Sequence, residues 1–159
     1  MLDLEILRGI GEGLQKHEMK SPLVGTWKLL DYSFLHENGT LEKPWGTEVE
    51  GILIYSTEGY MSGNLMHRRR KRPEPQREVA GEIGERIRGS RNYIAYAGRY
   101  TMEGDTVTHH VEVSLFPNWI GLPQLRYYKL AGDKLVLSTP LTVVKGEKLV
   151  GQLTWKRVR

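Results

Sequence analysis

Cysteine is absent from the 159 residues. The chain therefore has no disulfide framework, no thiolate nucleophile and no thiolate-bound zinc or iron–sulfur centre. Aspartate is scarce as well: the four present are Asp3, Asp31, Asp105 and Asp133. A hydrolase working through a carboxylate pair is poorly supplied by so few. Long hydrophobic runs are missing too, none approaching the roughly 20 apolar residues that cross a bilayer. The first twenty residues carry Asp3, Glu5 and Glu12 and lack the unbroken apolar stretch of a secretory signal. A cytoplasmic protein is the resulting expectation. No glycine-rich phosphate loop, Gly-x-Ser-x-Gly elbow or Ser/His/Asp order stands out, so no cofactor is expected. The excess of Lys+Arg over Asp+Glu is small, 23 against 19, and does not by itself call for a nucleic-acid partner.

Glycine, by contrast, is abundant: 18 of 159 residues, about 11% against a usual 7%. Many glycines sit in short polar punctuation. Asn38-Gly39, Glu58-Gly59, Gly104-Asp105, Gly132-Asp133 and Gly146-Glu147 read as hairpin turns, where glycine supplies the positive φ that tight turns demand. Between them lie strand-like runs: 26–36, 51–56, 60–67, 93–102, 106–116, 125–131, 134–139 and 149–157. About eight strands joined mostly by hairpins form an antiparallel up-and-down meander. Closing it into a barrel removes the exposed edges.

Two segments break this pattern. In Leu2–Lys16, Ile6, Ile10 and Leu14 recur at helical spacing, which predicts an N-terminal amphipathic helix, either a lid or a static plug at one barrel end. In Gln76–Arg91, Val79, Ile83 and Ile87 predict a helix inserted between two strands. The domain reading is thus a helical extension over 1–20 and a barrel over 21–159.

Alternation assigns the faces. Along 106–116 the odd positions Val107, His109, Val111, Val113 and Leu115 form the apolar set and should face the lumen. His110 and Glu112 then face outward. A tight turn at Gly104-Asp105 would set Met102 against Val107, Tyr100 against His109, Gly98 against Val111 and Tyr96 against Val113. Gly98 would then leave unfilled space inside. Across the next turn the same logic sends Arg126, Tyr128 and Leu130 inward. An inward arginine without an inward carboxylate must meet water, a carbonyl, an aromatic face or a ligand, because a buried unpaired guanidinium is costly.

Gly25-Thr26-Trp27 opens the first barrel strand, and Trp155-Lys156-Arg157 closes the last. This pattern resembles the lipocalin signature, in which the tryptophan plugs the closed end and a last-strand arginine stacks on it. Gly25, Trp27 and Arg157 take those structural roles by resemblance. The Thr-Asp-Tyr motif of secreted transport lipocalins is absent. Residues 23–27, 53–55, 59–62, 93–100, 109–119 and 137–140, in that order and spacing, are similar to the bacterial and fungal family of lipocalin-like domain proteins, a calycin-type barrel. The resemblance implies a barrel with an internal cavity but no settled activity. Some members serve biosynthetic pathways for small molecules.

The expected function is therefore binding of a small, mostly hydrophobic molecule in the barrel. The expected ligand-binding residues are Tyr96, Gly98, Tyr100, His109, Val111, Val113, Trp119, Arg126 and Tyr128. The alternative is a cofactor-independent cyclase or isomerase in the same cavity, with His109 and Tyr100 as catalytic residues and Arg126 stabilising a developing enolate. His109 reads equally as a core histidine bonded to Tyr100 or as a ligand contact or base. The tyrosines read as pocket donors or as wall material, and Trp119, after Phe116-Pro117-Asn118, as a rim residue or a fixed turn. His109 and His110 point to opposite strand faces, so no metal site is expected of them. The basic run His67 to Arg72 reads as a solvated loop ahead of a polyanion patch.

Overall fold

Period-two burial builds the wall of this protein. In the computed structural model, which describes residues 21–70 and 90–159, strand β3 (Val49–Tyr55) buries Val49, Gly51, Leu53 and Tyr55 and exposes Ile52 and Ile54. Strand β4 (Tyr60–His67) likewise buries Met61, Gly63 and Leu65. The other long strands are β1 (Gly25–His36), β5 (Tyr93–Glu103), β6 (Thr106–Ser114), β7 (Pro123–Ala131), β8 (Lys134–Ser138) and β10 (Glu147–Arg157), with short strands β2 (Leu41–Glu42) and β9 (Thr142–Val144). The sheet order is β2-β1-β3-β4-β5-β6-β7-β8-β10-β9, and β1 also pairs with β10. That last pairing runs antiparallel from Trp27↔Arg157 to His36↔Leu149 and closes eight strands into a barrel.

Two hairpins fix the part of the wall that matters most. Glu103 pairs with Thr106 around Gly104-Asp105, and Ala131 pairs with Lys134 around Gly132-Asp133. Gly104 (φ 56°) and Gly132 (φ 59°) occupy the left-handed region that the two-residue loops require. The register that follows sets Met102 against Val107, Tyr100 against His109 and Gly98 against Val111. The fourth expected pair is not formed. The register shifts between Ala97 and Gly98, so Ala97 meets Val113 and Tyr96 meets Ser114.

A β-bulge at Glu112 is the cause. A Cβ at Gly98 would overlap the His110 carbonyl and lie 2.9 Å from the Glu112 amide nitrogen. Glycine therefore lets the β6 backbone press against β5, and the inserted residue inverts the alternation beyond it. Val113 is 62% exposed and Leu115 38% exposed, so both lie on the outer face and not, as alternation alone implied, in the lumen. Gly98 serves a close backbone approach and opens no space inside. A second bulge in β1, between Leu29 and Asp31, works the same way. Trp27 and Leu29 point inward before it, Leu30 is exposed, and Tyr32 and Phe34 turn toward the interior after it.

The closed end is packed around Trp27, which is fully buried and donates its indole N–H to the Leu23 carbonyl at 2.9 Å. The Arg157 guanidinium lies 4.1 Å from the Trp27 ring centroid and donates to the Val24 and Pro22 carbonyls, both at 2.7 Å. A Cβ on Gly25 would sit 2.8 Å from the Arg157 guanidinium nitrogen, so the first glycine of Gly-x-Trp makes room for the stacked arginine. The expected helices at 2–16 and 76–91 fall outside the described residues, except that Ser90 and Arg91 are helical. No helix among the described residues is long and apolar enough to cross a membrane.

Candidate functional site

Above this packed end the barrel is hollow. A cavity of about 680 Å³ runs from buried Leu53, Leu137 and Trp155 to exposed Pro123, Thr142 and Val144, so it opens at one end. The volume lies within the roughly 300–1,000 Å³ of small-molecule sites. Its wall is mostly aliphatic and aromatic. Tyr32 and Phe34 enter from β1 as an edge-on pair 5.3 Å apart, made possible by the β1 bulge. Phe116 and Trp119, flanking and ending the one-turn helix η1 (Pro117–Trp119), cover the opposite side, and the Trp119 ring stands edge-on to Tyr96 at 5.5 Å.

Beneath the cavity floor sits a buried polar cluster. His109 is fully enclosed, with Tyr55 Oη 2.7 Å from its Nε2 and Tyr96 Oη 2.9 Å from its Nδ1. Burial holds its pKa down at about 3, the nearby Arg126 charge and then His110 adding to the shift. His109 is therefore a neutral imidazole at neutral pH. Burial also raises both phenols, Tyr55 well above its ordinary value, while the Arg126 charge opposes the rise. Of the three, only Tyr96 reaches the cavity wall.

Arg126 is the charged side chain of that wall. It is 9% exposed and donates to its neighbour's Leu125 carbonyl at 2.7 Å and to Gln124 Oε1 at 3.4 Å. No carboxylate among the described residues pairs with it or lines the cavity. Two further donors share the wall. The Trp155 indole N–H is buried without an acceptor among the described residues. Tyr32 is pushed up to about pKa 12 by burial, against the opposing Arg126 charge.

Tyr96, Trp119 and Arg126 thus meet at the cavity. His109 stands behind Tyr96 and makes no part of the wall. Tyr100 lies edge-on to Tyr55 at 4.9 Å and donates to the Ser56 carbonyl at 3.0 Å, so it is not the partner of His109. Tyr128 donates to the Gly104 carbonyl at 3.1 Å, toward the hairpin end of the barrel. Val111 is buried in the wall, while Val113 and Gly98 border a shallow groove on the outer surface. His110 is exposed and bonds to Thr101, so the two adjacent histidines share no site.

The residues overlooked by sequence reasoning are Tyr55, Tyr32, Phe34, Phe116, Gln124 and Trp155. For Tyr55 and Trp155 a signal existed: each shares the inward face of its strand, with Leu53 and with Leu153 respectively. Tyr32, Phe34 and Phe116 follow bulges and had none. In the basic run, Arg69 pairs with Glu48 at 3.2 Å and Arg68 lies 4.0 Å from Glu50, while the Arg70 guanidinium lies 5.1 Å from the Tyr93 ring centroid. Carboxylates of β3 and the segment before it already answer part of that charge.

Comparison with known proteins agrees with this architecture. Residues 24–158 match the family model described as a lipocalin-like domain. The 4'-hydroxy-3'-methoxypropiophenone carrier protein ppsC of Aspergillus oryzae (strain ATCC 42149 / RIB 40) is 38% identical over 108 residues, 62% of this chain and 96% of its own length. A lipocalin-like protein from Bacteroides uniformis ATCC 8492 superposes with a TM-score of 0.44 at 14% identity, covering 86% of this chain and 98% of its own. An uncharacterized protein from Bacteroides eggerthii DSM 20697 gives a TM-score of 0.39 at 14% identity, covering 82% and 98%. Those two likenesses are too loose to carry an argument. The family match spans nearly the whole barrel, from the strand bearing Trp27 to the one bearing Arg157, and on it the chain belongs to the lipocalin-like domain family.

Proposed function

We propose that this protein is a binding or carrier protein for a small, mostly apolar molecule with an aromatic ring, held in the barrel cavity. The observation that carries this reading is the cavity of about 680 Å³, whose aliphatic and aromatic wall holds, among the described residues, a single charged side chain, Arg126. Burying about 200 Å² of apolar ligand surface contributes about 5 kcal/mol before the costs of association. Edge-on rings such as Tyr96 and Trp119 suit an aromatic guest. The Aspergillus relative named as carrier of an aryl ketone supports the same reading.

A cyclase or isomerase working through the expected pair would need His109 or Tyr100 in reach of the guest. His109 is neutral, and both its ring nitrogens are engaged by phenols; the Tyr100 hydroxyl is spent on a carbonyl. Binding without chemistry is the reading these side chains favour. It is tested by native mass spectrometry of the purified protein and by calorimetric titration with 4'-hydroxy-3'-methoxypropiophenone as probe. Saturable one-to-one binding that quenches tryptophan fluorescence is expected. A protein that carries no organic molecule and gives no titration signal would remove the reading.

A further inference from the structure

This inference rests on the carrier reading and names the group the cavity selects. A neutral imidazole donates from one ring nitrogen and accepts at the other. Tyr55 decides which. It is 1% exposed, and its hydroxyl bonds to His109 Nε2 and to no other described residue. Were Nε2 protonated, the Tyr55 hydroxyl hydrogen would be buried without an acceptor, an arrangement folded proteins avoid. Tyr55 therefore donates to Nε2, and the proton of His109 sits on Nδ1. Nδ1–H in turn donates to Tyr96 Oη, 2.9 Å away. The oxygen of Tyr96 is used as an acceptor, so its own hydrogen is left over, and Tyr96 lines the cavity.

Arg126 lies beside it within hydrogen-bond reach of its hydroxyl, and contacts Leu125 and Gln124 as well, so its five N–H donors are not exhausted. Trp155, on the same wall, holds a further N–H without an acceptor among the described residues. Tyr96, Arg126 and Trp155 thus present donors to the cavity, and no carboxylate among the described residues balances them, while the oxygens of Gln124 and Thr139 already accept from Arg126 and the Gly151 amide. We propose that the cavity selects ligands bearing an acceptor oxygen with no hydrogen of its own, a carbonyl or a deprotonated oxygen, held between the Tyr96 hydroxyl and Arg126. His109 is the positioning residue that sets the direction of the Tyr96 donor. An ammonium group of the same shape meets the like charge of Arg126 at that position and is disfavoured there.

The test uses the whole chain and three probes of one skeleton: propiophenone, propylbenzene and 1-phenylpropan-1-amine at pH 7. Propiophenone should bind the wild type about 10–100-fold more tightly than propylbenzene, the range of one or two charge-assisted hydrogen bonds. The amine should bind at least ten-fold more weakly than the ketone. Tyr96→Phe should cut the preference for the ketone about ten-fold, leaving the share due to Arg126, while keeping propylbenzene affinity within about three-fold. In nitrogen NMR of 15N-histidine-labelled wild type, His109 should carry its proton on Nδ1. Equal affinity for ketone and hydrocarbon, an amine that binds as tightly as the ketone, or a proton on Nε2 overturns the proposal and leaves the carrier reading standing. A wild type that takes up none of the three probes ends both.

Discussion

Tyr55 Oη lies 2.7 Å from Nε2 of His109, 54 residues along the chain, in the fully buried layer between the plugged end of the barrel and its cavity. The contact ties β3 to β6 across the interior, since β4 and β5 separate them in the sheet. It also makes the imidazole a structural group whose protonation opposes folding. That relationship and three others lead to measurable outcomes.

Stability should depend on pH through His109. Its folded pKa of about 3 lies below the unfolded value of about 6.5. Between those two values the unfolded chain binds the proton and the folded protein does not, so stability falls as pH falls through the window. It is fully present above about pH 6.5. At about 1.4 kcal/mol per unit, the ceiling on this contribution is about 5 kcal/mol. His109→Gln retains a donor and an acceptor between the phenols but does not titrate. Urea unfolding at pH 7, 5.5 and 4 should show wild type losing several kcal/mol more than the variant; parallel losses would contradict the assignment.

Replacing Arg126 tests whether its guanidinium is kept for a ligand. Arg126→Met removes a buried charge that has no carboxylate partner among the described residues while keeping most of the volume. The ligand-free protein should gain about 1 kcal/mol or lose nothing, and affinity for an aryl ketone should fall about ten-fold or more. Urea midpoints and calorimetry read the two effects. A variant that unfolds more easily and still binds the ketone normally would show a structural arginine instead.

The plugged end depends on Arg157 over Trp27. Arg157→Ala loses the 4.1 Å stacking contact and two carbonyl hydrogen bonds, together about 2–3 kcal/mol. Arg157→Lys should recover less than half of that, because a point-like ammonium cannot stack flat and reach two carbonyls at once. Gly25→Ala should cost a comparable amount, given φ of 135° and a Cβ 2.8 Å from the guanidinium nitrogen. Thermal unfolding of the three variants checks the ranking; an unchanged Gly25→Ala would refute the close-approach argument.

Gly98→Ala should be the most damaging single methyl in the wall. The added carbon would overlap the His110 carbonyl, and neither backbone can yield without undoing the bulge at Glu112. A loss above about 3 kcal/mol is expected. Gly63→Ala is the control: it is also buried, yet its Cβ would find its nearest neighbours at 3.6 Å, the ends of Leu53 and Met61. Soluble expression and urea midpoints should separate the pair sharply, and equal tolerance would sink the bulge explanation.

The sequence alone carried the barrel. Turn glycines and period-two runs located the eight long strands to within a few residues, and Gly25-x-Trp27 with Arg157 marked the two strands that close the wall. These signals are local: a tight turn needs a positive φ, and one face of a strand must be apolar whatever lies opposite. The inward direction of His109 and Arg126 was legible for the same reason. Which side chains line the cavity was decided by tertiary structure. The bulges in β1 and β6 shift the inward face by one residue, putting Tyr32, Phe34 and Phe116 into the cavity and Val113 outside it. A bulge depends on how a partner strand approaches, as at Gly98 under the His110 carbonyl, and no alternation within one strand reveals it. Nor does spacing along the chain reveal that Tyr55 reaches His109, because that contact forms only when the sheet curls round and brings β3 across the lumen to β6.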